Sequence, residues 1–375
     1  MNSRDLALMR REFKLDSYAL PIKEVYSVYL KKDNGEIITQ GSKQFGLMDV
    51  ETRELYLNNF KKALTGSIDS KIFELTFKNI NEDVMHGLLQ LALSNKTEMT
   101  EFANTVVNKI RENFNYDTDI VINFIKSEYY FGAKGKGNKD DYVQAIDFIL
   151  CTVNKVEVPK KVLKFDYSEM DFKTNSVLDV TVNLNSPLDA FMYPSFDDEG
   201  YVDPDKIIYY SHKSKDMNRT FIDGVLDCNI KPTAEDERKT FKSILQEVTE
   251  NSIRPEVLQN IYEDIADKLQ DNQIMINMKG LELLLEDNFI NTKPLKNAFM
   301  EFCGGDYNFK IKNILPDFGS KSINILNDSM EINIVPEHLQ TIKQIKDEDG
   351  RTCLNIILNE DVLLDDMGVE TESWY

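Results

Sequence analysis

Three features of the amino-acid sequence predict an α+β fold. Several segments repeat apolar residues at helical spacing. Others are runs of Val, Ile, Phe and Tyr joined by short links, which is the pattern of antiparallel strands. The two kinds mix in the first half, helices dominate the middle, and hairpin signals close the chain. The expected parts are an N-terminal mixed half with an antiparallel sheet over 1–211, a helical segment over 212–303, a small β-hairpin part over 304–359 and an acidic flexible tail over 360–375. The 375 residues exceed the roughly 250–300 at which a single core stops growing, so more than one substructure is expected.

The first helix is expected over Met1 to Phe13, with Leu6 and Met9 on one side. Pro21 breaks the chain. Val25 to Lys31 and Glu36 to Thr39 flank Asp33-Asn34-Gly35, which predicts a β-hairpin. Asp49 to Leu64 places Leu57, Phe60 and Leu64 on one helical face, and Gly66 follows its end. Ile72 to Phe77 reads as a strand, and Asp83 to Leu93 and Thr100 to Phe114 as helices.

Ile120 to Phe131, Ala145 to Val156, Val162 to Tyr167 and Val177 to Leu184 favour extended structure, and short links make them a meander. Ser186 to Asp205 reads as an irregular loop, followed by a short strand over Ile207 to Ser211. Pro232-Thr233 opens a helix with Phe241, Ile244, Leu245 and Val248 on its apolar face. Pro255 suits the first turn of the next, whose stripe is Leu258, Ile261, Ile265 and Leu269. A short extended piece over Ile274 to Met278 and helices over Gly280 to Asp287 and Pro294 to Phe302 follow. Asn327-Asp328-Ser329 and Asp347-Glu348-Asp349-Gly350 mark two terminal hairpins.

The chain has 44 Lys and Arg against 64 Asp and Glu, a formal net charge of −20. Nucleic-acid affinity comes mainly from Lys and Arg displacing counterions, so the overall field works against a broad DNA-binding face and leaves room only for a local basic patch. The four cysteines, Cys151, Cys228, Cys303 and Cys353, form no close pair, so neither a metal site nor a disulfide framework is expected. Cys151 and Cys353 lie in apolar strand-like runs, where a buried free thiol is the default. No apolar run is long enough to span a bilayer, and the cytoplasm is the expected compartment.

Two local stretches carry chemistry. Gly132 to Lys139 reads G-A-K-G-K-G-N-K. Backbone amides at Gly135 and Gly137, with Lys134, Lys136 and Lys139, suit an anion or a nucleic-acid backbone. It is not a nucleotide-binding P-loop, because Asn138 follows Gly137, and a plain hairpin loop is the simpler reading. Tyr129, Tyr130 and Phe131 beside it suit base stacking, or a core. Ser186 to Asp205 gathers Asp189, Asp197, Asp198, Glu199, Asp203 and Asp205, the residue types a divalent cation takes, but without EF-hand spacing. Phe191, Met192, Tyr193 and Phe196 would anchor that stretch to the core or present it to a partner. His86, His212 and His338 form no HxH or HxxxH pair, and there is no G-x-S-x-G. No cofactor is expected, and a binding protein is favoured over an enzyme.

Arg10 to Ile37 (RREFKLDSYALPIKEVYSVYLKKDNGEI), Phe60 to Leu75 (FKKALTGSIDSKIFEL) and Ser186 to Gly200 (SPLDAFMYPSFDDEG) resemble, in order, an uncharacterised family of clostridial and other Firmicutes proteins. A remoter likeness is to the bacterial 37-kDa nucleoid-associated protein family. It lies in a strand like Asp119 to Phe131 before one like Ala145 to Val158, a helical segment like Ile207 to Val248, and a hairpin like Ser322 to Ile334. That resemblance implies nucleoid association and brings no catalytic residue with it. An acidic protein would reach the nucleoid most easily through a DNA-bound protein such as a topoisomerase. The expected function is therefore a non-enzymatic nucleoid-associated-like binding protein, touching nucleic acid locally or through such a partner, with homo-oligomers allowed and no membrane partner. The alternatives are an acidic protein-interaction module that competes with nucleic acid for basic partners, and a metal-dependent enzyme built on the Ser186–Asp205 carboxylates.

Overall fold

The computed structural model describes residues 3–78, 84–131, 144–157, 163–174, 180–196, 201–213, 217–358, 363–364 and 367–368. The fold is α+β, and the chain divides into two compact units, Met1–Thr233 and Ala234–Tyr375.

The first unit opens with α1 (Ser3–Glu12), β1 (Glu24–Leu30) and β2 (Ile37–Gln44). Helix α2 (Val50–Ala63) is capped by Asp49, whose carboxylate accepts from the Thr52 amide at 2.8 Å. The Thr52 amide and hydroxyl hold that carboxyl below its usual range. There follow β3 (Ile72–Thr76), α3 (Val84–Leu93), α4 (Met99–Glu112), β4 (Ile120–Phe131) and β5 (Gln144–Glu157). After these come β6 (Leu163–Asp166), β7 (Asp171–Thr174), β8 (Thr181–Val182), β9 (Asp189–Tyr193), β10 (Ser195–Phe196), β11 (Val202–Asp203) and β12 (Lys206–Ser211).

Seven strands run in the order β2-β1-β4-β5-β9-β12-β3, every neighbouring pair antiparallel, and β8 joins the far end of β5. Successive side chains leave opposite faces of a strand, and here both faces are covered. Ile122, Phe124, Cys151, Val153, Phe191 and Tyr209 share a core with α3, α4 and a π-helical turn over Phe221–Val225. Ile125, Phe148, Leu150, Met192 and Ile208 share another with α1 and α2. Burial on both faces explains why β4 and β5 read as nearly unbroken apolar runs.

Two expectations about this unit are corrected. The Ser186 to Asp205 stretch is not an irregular loop throughout, because Asp189–Tyr193 is an inner strand of the sheet with all five residues buried. Pro187, Pro194 and Pro204 punctuate the stretch and conceal it. The meander also stops at β5, since β6 pairs with β7 as a separate hairpin.

The second unit contains α5 (Ala234–Val248), α6 (Pro255–Gln270), β13 (Met275–Ile276), α7 (Met278–Asp287), α8 (Leu295–Cys303), β14 (Phe309–Lys310) and α9 (Ile311–Ile314). Phe241, Ile244, Ile261, Ile265, Leu285 and Phe299 lie at its centre. Buried Glu237 accepts from the Tyr307 hydroxyl at 2.6 Å and the Asn313 amide at 2.5 Å, so its carboxyl group is hydrogen-bonded. Two expected hairpins follow, β15 (Ile323–Asn327) with β16 (Met330–Ile334), and β17 (Ile342–Lys346) with β18 (Thr352–Ile356). Each is a two-stranded sheet. Cys353 on β18 is accordingly half-buried, not buried as expected, whereas Cys151 is fully enclosed. The expected flexible tail falls outside the described residues, save for the two-residue pair β19 (Leu363–Leu364) and β20 (Met367–Gly368). Among the described residues no helix is long and apolar enough to cross a membrane.

Candidate functional site

The Gly/Lys stretch connects β4 to β5, and Lys134, Gly135, Lys136, Gly137 and Lys139 all lie outside the described residues. Of its aromatic neighbours, Tyr129 is a core residue that packs on Phe196. The Tyr130 amide donates to the Ala19 carbonyl at 2.8 Å, and its hydroxyl contacts Glu128. Tyr129 is thus unavailable for stacking on a base.

The most developed polar site sits where β9 begins and β12 ends. Asp189 is buried, yet three donors converge on it. The Tyr209 hydroxyl lies 2.5 Å away, the Tyr116 hydroxyl 2.7 Å and the Asn218 amide 2.8 Å. Burial raises the Asp189 carboxyl above its ordinary range, and the hydrogen bonds pull it partly back. Asn218 also accepts from the Phe221 amide at 3.1 Å and from Asn115 at 2.7 Å. One carboxylate therefore ties together the loop after α4, two strands and the π-helical turn. Beside it lies a cavity of about 430 Å³ whose lining includes His212, Lys213, Asn218 and Arg219. Sequence reasoning grouped Asp189 with its neighbours in sequence and missed its partners, which lie 20 to 73 residues away.

The Ser186–Asp205 carboxylates do not converge. Asp189 pairs with Ser211 in the β9–β12 ladder, whereas Asp203 and Asp205 precede Lys206 at its opposite end. Asp203 forms an ion pair with Lys206 at 2.7 Å, and Asp205 faces His86 at 3.7 Å. Asp197, Asp198 and Glu199 lie outside the described residues, among which no group of acidic, His or Cys side chains is arranged to hold a metal. Phe191, Met192, Tyr193 and Phe196 are buried, so they anchor the stretch.

Among the described residues no histidine belongs to a metal-holding group. His86 is buried against the Pro204 carbonyl at 3.0 Å and the Phe77 ring. Among the described residues the nearest approach to a catalytic pair is Ser186, whose hydroxyl lies 2.9 Å from His212 Nδ1. Both are exposed. Asp189, the nearby acid, spends both oxygens on Tyr209, Tyr116 and Asn218 and does not orient the imidazole.

Charge is distributed unevenly. The unit Met1–Thr233 carries 30 basic and 36 acidic residues, and Ala234–Tyr375 carries 14 and 28, so the shorter unit holds −14 of the −20. The same unit exposes large apolar side chains, with Phe289 97%, Leu326 64%, Leu283 63% and Met300 60% exposed.

A family model described as a domain of unknown function (DUF4317) matches residues 1–367. No curated protein and no solved structure matches the chain.

Proposed function

The chain belongs to the DUF4317 family, a domain of unknown function, and we propose that it is a non-enzymatic binding protein that joins the bacterial nucleoid through a basic, DNA-bound protein. The observation that carries this reading is the concentration of negative charge in the C-terminal unit, 28 acidic against 14 basic residues, of which 22 acidic and all 14 basic lie among the described residues, where Phe289, Leu283 and Met300 are also exposed. Such a surface repels phosphates and attracts cationic proteins. Exposed apolar side chains among charges are the composition of a protein interface more than of a nucleic-acid one. The likeness to the nucleoid-associated family, carried by Asp119 to Phe131, Ile207 to Val248 and Ser322 to Ile334, supplies the destination.

A second reading is direct local contact with nucleic acid through Lys134, Lys136 and Lys139. It rests on the near-balanced charge of the N-terminal unit, where a basic loop is opposed by a net charge of only −6. The test is sedimentation of the full chain with bare DNA and with DNA coated by a purified basic nucleoid protein, at low and physiological salt. The expected result is sedimentation with coated DNA only, lost as salt rises. Equal sedimentation with bare DNA would transfer the function to direct contact. Sedimentation with neither would remove nucleoid association.

A further inference from the structure

Helices α5, α6, α7 and α8 close on different left-handed residues, and two of these closures line one groove. At the end of α7 the Phe289 amide donates to the Glu286 carbonyl at 2.9 Å and the Ile290 amide to the Leu285 carbonyl at 2.9 Å. This is the paired closure that requires a left-handed residue, normally Gly. The residue is Phe289, at φ 59°. Helix α5 closes the same way, with Glu250 at φ 52° and Asn251 at φ 59°. Helix α6 uses Asn272, a residue that tolerates this region, and α8 uses Gly304. A bulky side chain at positive φ is an outlier, and such strain gathers at working surfaces. Phe289 gains nothing back from burial, because its side chain is 97% exposed.

The two strained closures face each other across one groove. Its cavity, about 310 Å³, is lined by Val248, Ile253, Val257, Phe289 and Ile290, with Glu250 and Arg254 among its polar residues. This is the lower end of the size of small-molecule sites and suits one or two side chains. Arg254, the basic residue of that lining, forms an exposed ion pair with Glu256 at 3.5 Å. The last turn of α7 adds Glu286 and Asp287, within a unit whose described residues include 22 acidic and 14 basic.

We propose that this groove docks a basic segment of a partner protein, which inserts one large apolar side chain against Val248, Ile253, Val257 and Ile290 while Phe289 packs over it. Charge complementarity selects the basic segment. It also disfavours a second copy of this chain, whose corresponding surface carries the same negative charge. The inference rests on the reading that the C-terminal unit takes a basic protein, and names where.

The test is fluorescence anisotropy of the full chain with a labelled peptide in which one leucine is flanked by arginines and lysines. Two control peptides replace that leucine with alanine or the flanks with glutamates. The leucine peptide is expected to bind, the alanine peptide about tenfold more weakly, and the acidic peptide not at all. Phe289→Gly is expected to weaken the leucine peptide about tenfold while melting no lower than the natural protein, because glycine relieves the strain. A merely structural Phe289 would show the opposite pattern. Equal binding of the leucine and alanine peptides, no binding of either, or unchanged binding by Phe289→Gly would overturn the proposal. Phe289→Gly that still sediments with coated DNA, where the natural protein does, would sink the groove and leave nucleoid association standing. Peptide binding without sedimentation would do the reverse.

Discussion

The hydroxyl of Tyr116 donates to the carboxylate of Asp189 at 2.7 Å, joining the loop after α4 to an inner strand of the sheet. Burial raises the Asp189 carboxyl, and Tyr209, Tyr116 and Asn218 lower it in part. A carboxyl whose folded pKa lies above its unfolded value of about 3.9 binds its proton more readily in the folded chain. Its contribution is therefore most favourable at low pH and is lost as pH rises through the folded value. Tyr116→Phe removes a donor that favours the charged form, so the folded value climbs and the loss extends to higher pH. At neutral pH the variant should be less stable by about 1–3 kcal/mol. Urea denaturation at several pH values measures this, and a Tyr116→Phe profile parallel to the natural one would contradict it.

Lys126 closes α3. Its ammonium donates to the carbonyls of Ala92 at 2.5 Å and Leu93 at 2.7 Å and to the Asn95 side chain at 2.6 Å. Burial lowers its pKa. Carbonyls in the last turn of a helix lack their usual amide partner four residues on, and the Ala92 carbonyl otherwise accepts only a long bond from the Asn95 amide at 3.3 Å, so Lys126→Met should cost about 1–2 kcal/mol. Amide exchange should quicken in the last turn of α3 and stay unchanged in α2. Uniform quickening would mean that Lys126 serves the sheet as a whole.

Asn59 on α2 is fully buried among apolar residues and is held by its partners. Its amide donates to the Asn154 oxygen at 2.5 Å and the Leu184 carbonyl at 2.8 Å, and its oxygen accepts from Thr152 at 2.7 Å. Asn59→Ala opens a void and strands those polar groups, for an expected loss of about 2–4 kcal/mol. Adding Thr152→Val should cost less than its effect alone, because the hydroxyl has already lost its acceptor. Strict additivity in denaturant titrations would refute the network.

The helices were legible because their apolar residues recur at the right spacing, as Leu57, Phe60 and Leu64 do on α2 or Phe241, Ile244 and Leu245 on α5. The long strands β4 and β5 were legible because composition alone marks a strand buried on both faces. Strand β9 was not, since it begins with a charged residue and runs between prolines. What makes Asp189 acceptable inside is Tyr116, Tyr209 and Asn218, and nothing in local sequence connects them. Phe289 was equally hidden, because Phe announces neither a left-handed backbone nor exposure. The clue in retrospect is Asn288-Phe289-Ile290 after an apolar helix, where a glycine would be the ordinary residue.

Glu237 offers a test confined to the second unit. The Tyr307 hydroxyl and the Asn313 amide both donate to it. Glu237→Gln keeps the volume but turns one acceptor into a donor facing a donor, for an expected loss of about 1–3 kcal/mol. Asn313→Asp in the same chain would set two carboxylates together in the natural protein but restore a donor–acceptor pair with the glutamine. The double variant should therefore be more stable than Asn313→Asp alone. A double variant no better than that single one would show that the pair is not coupled.

Replacing Lys134, Lys136 and Lys139 together with alanine separates the two routes to the nucleoid. Each lysine–phosphate contact contributes about 0.7 to 0.9 to the slope of log affinity against log salt. If these lysines touch nucleic acid, the triple variant should bind single- and double-stranded DNA more weakly, with a slope shallower by about 2–3. If the protein works through a basic partner, removing three positive charges makes the chain still more acidic, so sedimentation with protein-coated DNA should persist or strengthen. Fluorescence titrations across a salt series read the first outcome and sedimentation the second. Their signs are opposite, so one set of measurements decides whether the loop or the acidic unit makes the contact.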